Sequence, residues 1–183
     1  MILHEDKKLF SQAIRATAQQ LGIAEIYIEK DYWVTLALHL IFKDEIGKET
    51  VFKGGTALSK CYGLIERFSE DIDLVVIQND NVGSQLKKKL KAITSKVAEK
   101  LEETELEGIT NKMGMIRKVA FNYPKTATGV FGQVRDKIIV EATWLGRHEP
   151  YSQKEISSYV FQMMKTSGQE AVAEKFDLQP FPC

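Results

Sequence analysis

Much that would assign a class at once is scarce in this sequence. Only two cysteines, Cys61 and Cys183, occur in 183 residues, so a secreted scaffold built on disulfides is excluded. Neither sign of charge is in excess, with 25 Lys and Arg against 25 Asp and Glu. Any nucleic-acid contact must therefore come from a local patch rather than a global field. Long apolar runs are missing. The longest, Trp33 to Phe42, carries Thr35 and His39 and is about half of the roughly 20 residues that a helical membrane crossing needs. The opening residues Met-Ile-Leu-His-Glu-Asp-Lys-Lys lack the basic-then-apolar order of a signal peptide. Repeats and low-complexity tracts are absent too. What is present, 44% hydrophobic and 27% charged residues, excludes disorder as the main state. The expectation is a soluble α/β or α protein of a reducing compartment, with no membrane partner and a cytoplasmic location.

Periodicity predicts helices over 5–21 and 25–43, the second with an apolar stripe wide enough to sit centrally in the core. Thr50-Val51-Phe52 reads as a strand running into a Gly54-Gly55 turn, followed by a short helix closed at Gly63. Residues 72–77 read as a strand and 83–104 as a long helix. Strands are predicted over 115–123 and 136–145, a mostly helical stretch over 153–175, and an extended tail with no closing element. Alternating strands and helices followed by two strands close in sequence predict an α/β (α+β) fold, a mixed β-sheet flanked by helices, with an N-terminal helical pair.

The chemistry concentrates in Phe52-Lys53-Gly54-Gly55-Thr56-Ala57-Leu58-Ser59-Lys60 and Arg67-Phe68-Ser69-Glu70-Asp71-Ile72-Asp73-Leu74. In a strand, Asp71 and Asp73 share a face roughly 6.6–7 Å apart along the chain. Two such carboxylates repel unless a cation lies between them, and Mg²⁺ suits oxygen ligands shared with phosphate. The glycines let the backbone approach an anion, and a following helix N-terminus aims free N–H groups at it. Thr56 or Ser59 could add hydroxyls, while Lys53, Lys60, Arg67 and Ser69 add anion-binding capacity. Together these residues suggest a nucleoside triphosphate held with Mg²⁺. A third carboxylate for a second metal is best supplied by Glu141, the charged residue in Ile138-Ile139-Val140-Glu141-Ala142-Thr143, brought alongside by a neighbouring antiparallel strand. Asp136 begins the same run but belongs to its edge.

The bland readings are a solvated strand edge for Asp-x-Asp and a simple turn for Gly-Gly. Arg67 could instead pair with Glu66, Glu70 or Asp71. His4 and His148 read as surface residues, His39 as a polar point on the core helix, and Cys61 as a small buried residue. The lysines 87, 88, 89 and 91, beside Lys96 and Lys100, read as a solvated helix face, the alternative being an RNA-backbone contact.

Gly-Gly-Thr-x-Leu-Ser-Lys followed by Arg-Phe-Ser-x-Asp-Ile-Asp-Leu resembles the AbiEii/AbiGii toxin family of the DNA polymerase β-like nucleotidyltransferase superfamily. Glu29-Lys30-Asp31-Tyr32-Trp33 resembles that family's pre-motif helix, so the similarity covers most of the chain, from about Ile28 to the end. The resemblance implies a nucleotidyltransferase fold and a toxin of a bacterial toxin–antitoxin or abortive-infection system. Such a toxin transfers NMP from an NTP to a tRNA or other RNA end or a protein hydroxyl, and has a cognate antitoxin as partner. Carried over, Gly54, Gly55 and Ser69 would hold the triphosphate, while Asp71, Asp73 and Glu141 would bind one or two Mg²⁺ ions. The expected organisation is N-terminal helices over 1–48 packed on a nucleotidyltransferase core over 49–183, without the family's C-terminal helical region. The alternative is a truncated, non-catalytic nucleotide- or partner-binding module of the same fold.

Overall fold

In the computed structural model, the described residues are 1–64, 71–78, 82–129, 135–146 and 149–183. The chain enters through a 3₁₀ turn, Leu3–Glu5, into helix α1, Lys7–Leu21. Asp6 caps α1 by accepting the Leu9 N–H at 3.0 Å, and Gly22 ends it in the left-handed region at φ 66°. Helix α2, Glu25–Phe42, is buried on every face from Ile28 through Leu38. That explains why its sequence shows a broad apolar stripe rather than a narrow one. A 3₁₀ turn, Glu45–Glu49, leads to strand β1, Thr50–Lys53, and directly into helix α3, Gly54–Tyr62, closed by Gly63.

Strand β2, Asp71–Val76, and helix α4, Gly83–Ala98, follow. Strands β3, Glu102–Thr104, β4, Ile116–Asn122, and β5, Ile138–Thr143, complete the main sheet. Strand β6, Glu155–Ile156, precedes helices α5, Tyr159–Thr166, and α6, Glu170–Lys175, and strand β7, Phe181–Pro182, comes last. The five-stranded sheet runs β1-β2-β5-β4-β3. All neighbours are antiparallel except β2 and β5, which are parallel.

One face of the sheet carries the main hydrophobic cluster. Ile72, Leu74, Val76, Val119, Phe121, Ile138, Val140 and Ala142 join residues of α1, α2, α4 and α5 in the main hydrophobic cluster. Strand alternation turns Asp71, Asp73, Lys118 and Glu141 to the other face. The fold class is thus a mixed α/β one, a five-stranded sheet flanked by helices.

Three predicted stretches differ. The helix expected to reach 104 stops at Ala98, because residues 102–104 pair with Ala120, Phe121 and Asn122 as the far edge strand. The stretch 153–175 begins extended. Its helix starts only where Ser158 caps the Phe161 N–H at 3.1 Å, and it breaks at Gly168, φ 68°. The tail does close on an element, since Ile156 pairs with Phe181 and Glu155 with Pro182. Among the described residues no helix is long and apolar enough to cross a membrane.

Candidate active site

Strand register lines up a row of charges across four strands. Asp73 stands opposite Lys53 on β1 and opposite Glu141 on β5, and Glu141 in turn stands opposite Lys118 on β4. The order is basic, acidic, acidic, basic. The strand expected to bring Glu141 beside the Asp pair is an antiparallel one. The strand observed is parallel, and the helical crossover between β2 and β5 is what makes that pairing possible. Lys118 reaches Glu141 with Nζ to Oε2 at 2.7 Å, so the outer acid is partly neutralised.

The middle of the row remains acidic. Burial pushes the Asp73 carboxyl above its ordinary value, and the Glu141 and Asp71 charges push it the same way, against Lys118 and Lys53. Asp71 turns Oδ2 towards Arg135 Nη1 at 3.7 Å, while its Oδ1 is buried without a hydrogen-bond partner among the described residues. A buried orphan carboxylate oxygen beside a carboxylate that resists ionisation is an arrangement that a hard cation would relieve. The donor set, all oxygens from Asp71, Asp73 and Glu141, fits Mg²⁺. No group of three or more His, Cys, Asp or Glu already drawn together as a metal cage occurs among the described residues.

The Gly-Gly turn faces Asp73. Gly54 is at φ 78°, and a β-carbon there would stand 2.1 Å from Asp73 Oδ2. Only a glycine lets β1 turn into α3 against this side chain. Lys53, the residue preceding α3, makes no side-chain cap, so no side chain at that position claims the first N–H groups of the helix.

Thr56 and Lys60 have partners within the protein. Thr56 is buried and donates its hydroxyl to the Asp71 carbonyl at 2.6 Å, tying α3 to β2. Lys60 is not a surface residue but turns inward. Its ammonium donates to Asp31 Oδ1 at 2.6 Å, Thr35 Oγ1 at 2.8 Å and the Ser157 carbonyl at 3.3 Å, which uses all three donors. Arg67 and Ser69 fall outside the described residues, as does His148. His4 is not a surface residue but packs on Tyr32 and Trp33, with ring centroids 5.8 and 4.8 Å away. Of the basic cluster on and just after α4, Lys89 pairs with Glu49, Lys96 with Asp44 and Glu99, and Lys100 with Glu5, while Lys87, Lys88 and Lys91 are exposed.

Lys118, Arg135 and the scaffolding made by α2 carry no signature in the motifs. Glu29 accepts from Thr126 N and Oγ1 at 2.7 Å and from Ala127 N at 3.0 Å. Lys30 donates to the Arg135 carbonyl. Asp31 accepts from Lys60 and from Tyr159 N at 2.8 Å. Three consecutive charged residues on a buried helix were the available signal, because charges at such depth need partners.

Comparison with known protein families matches residues 38–178 to the nucleotidyl transferase AbiEii toxin family of type IV toxin–antitoxin systems. The chain belongs to that family. The match covers β1 through α6, and with it the Gly-Gly turn, both Asp residues and Glu141. It begins at residue 38 rather than near Ile28, so Glu29-Lys30-Asp31 lies ahead of it. A comparison with curated proteins returns no match.

Proposed function

We propose that this AbiEii family member transfers a nucleoside monophosphate from an NTP to an acceptor hydroxyl, at an RNA end such as that of tRNA or on a protein. The observation that carries this reading is Asp73, which is in register with Glu141 and in direct apposition to the Gly54 turn. A triphosphate needs both halves, an N–H cradle for phosphate oxygens and carboxylates for the accompanying cation.

In this reading the Gly54 and Gly55 amides at the α3 N-terminus hold phosphate oxygens, joined by Ser69 and Arg67. Asp71, Asp73 and Glu141 would hold one or two Mg²⁺ ions, which supply charge neutralisation on the triphosphate and favour loss of the acceptor proton. The acceptor oxygen attacks the α-phosphorus, its bond to phosphorus forms as the bond to pyrophosphate breaks, and the proton leaves to a nearby base. Glu141 is the candidate base, with Lys118 fixing its carboxylate. The chain's own contribution is positioning and charge placement. The 1–48 segment serves as helical support, with α2 bracing the core. As a toxin of a type IV system it would have an antitoxin partner.

The test is incorporation of each labelled NTP into total RNA and protein in the presence and absence of Mg²⁺. Metal-dependent labelling that disappears in Asp71→Ala and Asp73→Ala supports the reading. Labelling unchanged in those variants would falsify it.

A further inference from the structure

Cys61 and Cys183 are 122 residues apart in sequence, yet their sulfurs lie 3.8 Å from one another, both as free thiols. Each belongs to an anchored element. Cys61 is in the last turn of α3. Cys183 is held by a reciprocal backbone pair, its N–H to the Lys154 carbonyl at 2.9 Å and the Lys154 N–H to its carbonyl at 3.1 Å. The approach is therefore set by two fixed backbones rather than by a floppy end.

Both thiols are half-buried and line a cavity of about 550 Å³ along β1, which is also lined by Phe52, Lys53, Tyr62, Pro150 and Lys154. A small thiol reagent thus has a route to them. We propose that Cys61 and Cys183 are a redox modification site that closes reversibly to an intramolecular disulfide, with a low-molecular-weight disulfide such as oxidised glutathione as the oxidant.

The two thiols are not equivalent. The hydrogen bond from Cys183 lowers the Cys61 thiol from its ordinary value, helped by the Lys60 and Lys154 charges and opposed by burial. The same hydrogen bond and burial raise Cys183. Cys61 is then the attacking thiolate. It displaces one glutathione thiolate and forms a mixed disulfide. Cys183 next attacks the Cys61 sulfur and displaces the second. Two protein thiols are oxidised, one glutathione disulfide is reduced to two thiols, and the two protons end on the released glutathione. The product fastens the end of α3 to the β6–β7 ladder. None of this depends on the carboxylate site.

The test uses the full chain at low micromolar concentration, reduced and then exposed to oxidised glutathione. Intact mass should fall by about 2 Da, the two hydrogens lost, with both thiols gone from an Ellman titration, a monomer on a non-reducing gel, and full reversal by dithiothreitol. Cys183→Ser should stop at the Cys61 mixed disulfide, formed faster than the Cys183 mixed disulfide in Cys61→Ser. Disulfide-linked dimers, a wild-type protein that stays glutathionylated, or thiols that survive the treatment would each overturn the proposal.

Discussion

Gly54 and Asp73 touch in a way that admits no side chain between them, since a β-carbon on Gly54 would lie 2.1 Å from Asp73 Oδ2 and 3.0 Å from its Cγ. The turn that opens α3 and the carboxylate at the centre of the charged row are therefore one unit. Gly54→Ala incurs both the left-handed strain at φ 78° and displacement of Asp73. The expected result is a loss of about 1–2 kcal/mol in stability and about 100-fold in kcat/KM for nucleotidyl transfer. Gly63 is the control, at φ 62° with nothing within 4 Å of its own β-carbon position. Gly63→Ala should show similar strain in chemical denaturation and near-normal transfer kinetics. Equal kinetic losses in both variants would show that the Gly54 contact is irrelevant to the site.

Without added metal, Asp73 should destabilise the fold. Its carboxyl is raised above the ordinary 3.8 by burial and by its acidic neighbours. The folded state thus binds the proton more tightly, and the associated stability is present below pH 3.8 and lost as pH rises through the folded value. At neutral pH, Asp73→Asn should raise Tm by roughly 1–3 °C while abolishing transfer. Lys118 opposes the shift, so Lys118→Met should move the acid limb of the pH–activity profile to higher pH. A Tm that falls in Asp73→Asn would contradict the electrostatic account.

The buried pair Asp31–Lys60 gives a different signature. The side chains are 4% and 7% exposed with Nζ and Oδ1 at 2.6 Å, so removing either partner strands a charge. Asp31→Asn or Lys60→Met should each cost about 3–5 kcal/mol, and the double variant less than the sum. Chemical denaturation of the four proteins reads this coupling directly. The folded fraction of Lys60→Met should keep its KM for NTP. A KM raised tenfold or more would return Lys60 to the phosphate site.

These cases show which features the sequence carries on its surface. Gly54-Gly55 and the alternating Asp71 and Asp73 were readable because a turn, a helix start and a period of two are local properties. The long helices were readable for the same reason. Lys60 was not, because its environment is made by α2 and Ser157, which are 25 or more residues away. The parallel pairing of β2 with β5 likewise depends on a crossover, and nothing local in Ile138–Thr143 states its direction. Strands as short as Glu102–Thr104 and Glu155–Ile156 exist only through the partners that pair with them.

His39 supplies a prediction about acid stability. It is 13% exposed, its ring packs edge-on against Phe181 at 5.0 Å, and Nε2 lies 3.6 Å from Asp177 Oδ2. Asp177 would favour the charged ring, but burial outweighs it, joined by the Met1 ammonium, and the imidazole is pushed down to about 4. The unfolded chain titrates at 6.5, so between these values it binds more protons than the fold. Stability should be constant above pH 6.5 on this group's account, fall steadily as pH drops towards 4, and level off below. Replacing His39 with Gln removes the titration and should flatten that segment of the Tm–pH curve. A parent curve without the descent would mean that His39 is charged in the fold and that its contact with Asp177 prevails over burial, and a His39→Gln curve that keeps it would assign the descent to other groups.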